Sequence, residues 1–509
     1  MIPSRATMLA ANRRLAMGAG AARFVRPAAV VVAAASGVLV AVWPTSAAII
    51  AAVVVSVGLV AMGRRVVALF HGSLITILVG YAFLGKGFAY LGVPPLYVGE
   101  MVLALGFVSL LASLGRARFG ALHGLLVLFM AWGAIRTIPY IGIYGIDALR
   151  DAVTWAYGLF AIAISVTVRA EHFDRLRAGY QRIIPLFLAW LPISAGLTLL
   201  AGDALPRAPG SDVALVVFKA GDSAVHLTAV AAFILLGLYQ RPAGTTGIRE
   251  LALWAVWLAE GALTAALNRA AMVTLAATSA VLLFVRASTR WLALVFVAVT
   301  LMTLTVLVDP QVDVGGTRAL SVGQLVDNLT SVFSNNASPA NEATKQWRVQ
   351  WWDKIVSYTV YGPYFWTGKG FGINLADADG FQVTADGSLR APHSTHLEIL
   401  ARAGVPGLVL WIAFQVAFGI SLLRAAFRAI RVAPPWVPIL GWIFVYWAAA
   451  LIDGSFDVYL GSPQGGIWFW SVIGLGLAAV RLSRETEHPE TASSIRFWRP
   501  AKRAADPAS

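Results

Sequence analysis

The chain of 509 residues has no cysteine. Disulfides, thiolate nucleophiles and cysteine-ligated metals are excluded at once. Charge is also scarce: 13% of residues are Asp, Glu, Lys or Arg, about half the roughly 25% of a soluble domain. The sequence has no P-loop or other phosphate-cradling glycine motif, and nothing in it points to a nucleic-acid partner. Hydrophobic residues fill the space, at 59% of the chain, and they come in runs. About 20 apolar residues cross a bilayer core. Runs of that kind recur from end to end, so the chain reads as an all-α polytopic membrane protein.

Fourteen spans are predicted, at about 28–43, 46–62, 66–85, 98–114, 120–138, 152–168, 183–201, 223–239, 250–266, 270–286, 291–308, 404–423, 435–452 and 464–481. With both termini in the cytoplasm, every inner segment carries at least two Lys or Arg, as the positive-inside bias requires. The first run has the short apolar core of a signal peptide. The second follows with no polar stretch between them, so the first reads as a retained span. The resulting division is a basic cytoplasmic N-terminus at 1–26, eleven spans within 27–308, a long outer loop at 309–403, three spans within 404–481, and a polar basic tail at 482–509 that reads as disordered. In the outer loop, Trp347, Trp351, Ile355 and Tyr358 share one helical face. That face is expected to lie flat on the outer leaflet, where Trp and Tyr concentrate. Gly368, Gly370 and Gly372 are expected to form a flexible turn.

Charges near membrane helices are costly and mark candidate sites. Four places at outer span ends stand out. Arg150-Asp151 begins the sixth span, and reads either as an anchor with its counter-ion or as part of a site. Lys219, Asp222 and His226 fall on one helical face, where Asp222 could equally be a helix cap and Lys219 a snorkelling side chain. Asn268-Arg269 occupies a tight turn between two spans, and Arg348 sits among tryptophans. Arginine's planar fork suits phosphate. A convergence of such cations fits a lipid phosphate or diphosphate whose tail lies between helices.

The stretch "HSTHLEILARAGVPG", His393 to Gly407, enters the twelfth span. His393, His396 and Glu398 do not have zinc-ligand spacing, and no H-E-x-x-H is present. His396 reads as an interfacial anchor. Gly404, Pro406 and Gly407 read as a structural turn into the span.

The pattern His-Ser-x9-Gly-x-x-Gly resembles the signature of the O-antigen ligase and O-antigen polymerase superfamily of bacterial membrane glycosyltransferases. "ALRDAVTWAY", "FKAGDSAVHL", "NRAAMVTL" and "WRVQWW…GKGFG" resemble further family blocks in the same order, so the resemblance spans roughly residues 80–480. Ser394 stands where asparagine is commoner in the family, Asn268 where serine is, and fourteen spans exceed the usual twelve or so. The resemblance implies transfer of a glycan from undecaprenyl diphosphate to an acceptor hydroxyl at the outer face of the bacterial cytoplasmic membrane, without metal or cofactor and with inversion. It makes His393 the base, with Arg269 and Arg150 as the diphosphate clamp. Arg348, Lys219, His226 and Ser394 become substrate-binding residues. Membrane lipids, a glycan, lipid or protein acceptor, and a flippase or chain-length regulator are the implied partners. Polymerisation of repeat units is the first expectation and ligation of a finished glycan the second. A transporter is the reading from another class, and Glu260 within the ninth span is its main support.

Overall fold

Small residues decide how closely the membrane helices approach one another, because van der Waals packing rather than water drives their association. A computed structural model describes residues 63–240, 247–285 and 339–486, with Gly58. The chain divides into two compact units, Met1–Leu69 and Phe70–Ser509. Of the first, the described part is Gly58 and the start of one helix.

The described elements are α1 (Arg64–Leu84), α2 (Lys86–Ala89), the hairpin β1 (Gly92–Val93) and β2 (Leu96–Tyr97), α3 (Val98–Leu111), α4 (Ala121–Tyr144), α5 (Ile146–Ala156), α6 (Gly158–Thr167), α7 (Ala170–Ala201), α8 (Ala220–Leu235), α9 (Gly247–Leu267), α10 (Arg269–Val285), α11 (Pro339–Thr359), α12 (Leu375–Asp379), α13 (Thr395–Val432), α14 (Trp436–Phe456) and α15 (Pro463–Glu485). The hairpin is antiparallel, with Val93 opposite Leu96. Seven described helices are long and apolar enough to cross a membrane, or eight if α5 and α6, bent by 43°, form one broken span. Three shorter apolar helices accompany them. The protein is therefore an all-α polytopic membrane protein. Eleven of the fourteen predicted spans fall on described helices. Those at about 28–43, 46–62 (Gly58 aside) and 291–308 lie outside the described residues, as do the first part of the outer loop and most of the C-terminal tail.

α15 is the most enclosed span. Gly474 shows why: a Cβ there would sit 2.7 Å from Ile164 Cβ on α6. Gly476 does the same against the Phe418 ring of α13, at 2.5 Å. α14 packs on α8, α10, α13 and α15.

The outer loop has a core of its own. Trp351 and Ile355 of α11 are fully buried with Leu375, Ala376, Leu400 and Ala401, and Trp347 and Tyr358 pack against them. The predicted aromatic face thus exists, but it is covered by protein rather than by lipid headgroups. Trp351 stacks on Phe381 and donates to Asp379 Oδ2 at 2.8 Å. Tyr358 donates to the same oxygen, and Lys369 pairs with Asp379. A buried carboxylate with a cation and two donors fixes the register of this loop.

Candidate active site

His393 stands at the head of α13 in an unusual backbone state. Its φ of 53° makes it the non-glycine residue with positive φ among the described residues, a conformation that costs a side-chain-bearing residue energy and clusters at functional sites. Ser394 follows as the N-cap, accepting from Leu397 N, and is buried. The Ser394 hydroxyl, expected to bind substrate, thus serves as the helix cap. The helix runs to Ala403 and breaks at Gly404, whose φ is 70°.

A broken helix leaves carbonyls without partners. Here Ala401 O accepts from Lys369 N at 2.7 Å, Arg402 O from Gly370 N at 2.9 Å, and Ala403 O from Trp132 Nε1 at 2.8 Å. Below the break, Val405 N donates to Phe365 O at 2.8 Å. Gly368, Gly370 and Gly372 have φ of 59°, 87° and 109°, and a Cβ on any of them would collide with Arg402, Tyr140 or Tyr144 respectively. The expected flexible turn is instead a tightly fitted collar: the glycines serve close approach, not motion. Gly404 shares that role, since a Cβ would meet Phe365 O at 2.5 Å. At Gly407 a Cβ would press on Ala403 and the Trp132 ring. Pro406 lies within the helix just past the break.

His396 has both ring nitrogens engaged, Nε2 with Ser455 Oγ at 3.0 Å and Nδ1 with the Trp411 indole at 3.0 Å. It holds α13 to α14. His393 faces a carboxylate: Nδ1 lies 3.8 Å from Asp457 Oδ1, just past the end of α14. The half-buried Trp347 ring stands edge-on to it at 6.1 Å. Asp457 Oδ2 pairs with Lys219 Nζ at 3.1 Å, and Lys219 also holds Asp222 Oδ1 at 3.1 Å. Burial alone would raise the Asp457 carboxyl. The Lys219 ammonium, the facing His393 ring and the Val458 amide together hold it well below the usual carboxylate range. Burial would likewise lower Lys219, but Asp222, Asp457 and Asp453 outweigh it and raise the ammonium above its ordinary value. Gly221 admits this arrangement: a Cβ would lie 2.8 Å from Asp453 Oδ1 and 3.1 Å from Asp457 Oδ2. Both carboxylates therefore approach the N-terminal turn of α8, where the helix dipole favours negative charge.

Lys219, expected to bind substrate, lines a cleft while its ammonium pairs with Asp222 and Asp457. Arg348 donates to Phe456 O at 3.0 Å, adjacent to Asp457. Burial lowers its pKa first, with the Asp457 charge opposing and the Arg269 charge reinforcing the shift. Arg269 opens α10, and Asn268 caps that helix by accepting from Ala270 N at 2.7 Å.

Arg150 is more than half exposed and 4.0 Å from Asp147 on its own helix. Among the described residues it makes no hydrogen bond or ion pair with the His393 group. Its neighbour Asp151 is buried and accepts from Arg402 Nη1 at 2.9 Å, Arg390 Nη2 at 3.0 Å and Gly372 N at 3.0 Å. This ion cluster, with Glu398 on Arg402 Nε at 3.1 Å, ties α5 to the outer loop and α13.

His226 is buried, with Nδ1 2.6 Å from Tyr446 Oη and rings of Phe187 and Trp468 edge-on. It lines two adjoining clefts. One, of about 420 Å³, includes Lys219, Asp222, Ser223 and Gln464 and is partly polar. The other, of about 400 Å³, is walled by apolar residues such as Ile183, Phe187, Val230 and Trp468. Among the described residues no group of three His, Asp or Glu side chains gathers as a metal site.

Sequence reasoning missed Asp453 and Asp457. Their signal was available: two carboxylates four apart at the outer end of a span, in "IDGSFDVYL". It also missed Arg390 and Arg402, whose charges answer Asp151.

Residues 254–412 match the family model described as O-antigen ligase. The match contains Arg269, Arg348, His393, Ser394 and the Gly404–Gly407 turn; Arg150, Lys219, His226 and Asp457 lie outside it. No curated protein matches the chain.

Proposed function

We propose that this member of the O-antigen ligase superfamily transfers a glycan from a polyprenyl diphosphate to an acceptor hydroxyl at the outer face of the bacterial cytoplasmic membrane. The observation that carries the reading is His393, facing Asp457 at 3.8 Å, with Arg348 bound to the neighbouring Phe456 carbonyl. The acceptor O–H gives its proton to His393 as its oxygen attacks the anomeric carbon. The bond from that carbon to the diphosphate oxygen breaks, and the diphosphate leaves with the electron pair. Arg348 and Arg269 meet the negative charge that grows there, the task of a divalent ion elsewhere. Pre-placed charges of this kind are worth on the order of 10²–10³ in rate each. Arg150 joins from α5, its guanidinium held only loosely by Asp147. Attack opposite the leaving group inverts the anomeric centre.

The Asp457 carboxylate, 3.8 Å from His393 Nδ1, supports the ring by its charge, and Lys219 keeps Asp457 ionised. The clefts at His226, polar at one end and apolar at the other, suit a head group and the first part of a hydrocarbon tail. Trp347 beside the base offers an aromatic face to a sugar acceptor. The growing glycan is the first choice of acceptor, and a lipid-borne sugar is the second.

The test is a glycan profile. The gene is deleted and complemented with wild type or His393→Ala. Loss of the ladder with accumulation of single repeat units identifies a polymerase. Full-length chains stranded on the carrier identify a ligase. A correctly inserted, fully active His393→Ala protein removes the base assignment.

A further inference from the structure

The segment after α11, "VYGPYFWTG", leaves large aromatic groups uncovered. Tyr361 is 84% exposed and Trp366 69%, with Val360 and Tyr364 partly so. Such a patch on a water-facing loop would be costly. Its position explains it. Phe365 O accepts from Val405 N immediately below the Gly404 break, and Thr367 O accepts from Arg136 Nε on α4 at 2.7 Å. The exposed apolar stripe of α13 begins at Val409 and continues through Ile412 and Val416. Four residues of helix rise about 6 Å, so the patch hangs at the upper rim of the stripe that faces the bilayer. Arg136, reaching outward to the same loop, marks the same level.

We infer that residues 360–366 are an interfacial anchor whose partner is the headgroup layer of a phospholipid bilayer, with Tyr361 and Trp366 as the inserted side chains. Amphipathic rings prefer that layer. The role expected of the α11 face thus falls to the loop that follows it. Through Phe365 and Thr367 the anchor fixes the height of the glycine collar, and through the collar that of the helix carrying His393.

The absence of cysteine makes the test direct. Single cysteines at Tyr361→Cys and Trp366→Cys in the full chain are spin-labelled and reconstituted in phosphatidylglycerol–phosphatidylethanolamine vesicles. Val409→Cys and the exposed Ser388→Cys serve as membrane and water references. Collisions with oxygen and with a water-soluble nickel chelate are compared. The expected oxygen-to-nickel ratio at 361 and 366 is several-fold above that at 388 and below that at 409. A ratio equal to that at 388 overturns the proposal. So does exclusion of both reagents, which means that another protein surface or a second copy covers the patch. As a label-free measurement, Trp366→Phe should reduce the tryptophan fluorescence quenched by lipids brominated near the headgroup; unchanged quenching overturns the proposal equally.

Discussion

Arg402 reaches Asp151 with Nη1 2.9 Å from Oδ2, and neither side chain is open to solvent. The contact joins α5 and α13, which lie far apart in sequence. It also separates the roles of two adjacent residues, Arg150 and Asp151, which enter the sequence as one feature.

Asp151→Ala should unfold or strongly destabilise the protein. Removing one partner of a buried pair costs about 3–5 kcal/mol, because the other charge stays buried. Arg150→Ala should melt like wild type yet lose on the order of 10²–10³ in transfer rate. Thermal melts in detergent beside an in vitro transfer assay distinguish the two. Equal melting temperatures for both variants would contradict the assignment of Asp151 as the hub.

His393→Ala should lower the transfer rate by about 10²–10⁴, the usual worth of general-base help. Asp457→Asn should lower kcat more than KM, with a smaller loss, because it acts through the ring it faces. Combining the two should cost little beyond His393→Ala alone, since groups acting as a unit are not additive. Additive losses in the double variant would mean that Asp457 works independently of His393.

Lys219 supplies the positive charge among Asp222, Asp453 and Asp457. Lys219→Met should lower stability at neutral pH, by less than the about 3–5 kcal/mol of a fully buried pair because Lys219 is partly solvated. Asp457 is depressed in the folded state, so its contribution is present above the ordinary carboxylate range and is lost as pH falls toward its folded value. Lys219 is raised, so its contribution is present below the ordinary lysine value, about 10.4, and is lost as pH rises through the folded one. The gap between wild type and Lys219→Met should therefore be widest across the neutral range and narrow below about pH 4. Melting curves across pH measure it; a gap that widens with acidification would refute the scheme.

Gly370→Ala should destabilise for two separable reasons, the φ of 87° and the collision with Tyr140. Strained backbone alone costs about 1–3 kcal/mol. Adding Tyr140→Ala should relieve the collision and leave the backbone strain, so the melting temperature should recover in part. Full recovery would mean that the conformation at 370 adapts freely.

The sequence made the helices legible where apolar runs were long. The seven or eight described helices long enough to cross a membrane needed little more than the length rule. His393, Arg269 and Arg348 could be singled out as candidates, His393 by its motif and the two arginines by their cost near a membrane. Lys219 was legible as unusual but not as to its purpose: its partner Asp457 is 238 residues away, and no local pattern encodes that distance. Arg150 and Asp151 could not be told apart for the same reason. The glycine collar was misread because glycine permits both motion and close packing, and only the Tyr140 and Tyr144 rings decide between them. The α11 face was legible as aromatic but was placed on the lipid surface; what covers it instead, Phe381 and Leu375, comes from a later part of the loop.

The helical segment from Thr395 to Ala403 is capped at one end and fastened by three donors at the other. On the proposed function, a proton acceptor mounted on so short and doubly tethered a post cannot follow its reactants along the membrane. Both must be delivered to one altitude above the lipid plane. An enzyme that works as proposed would gauge how far the reactive hydroxyl stands from its anchorage and be indifferent to how much glycan extends beyond it. The length of the product is then a matter of supply and escape, not of anything that the site can count.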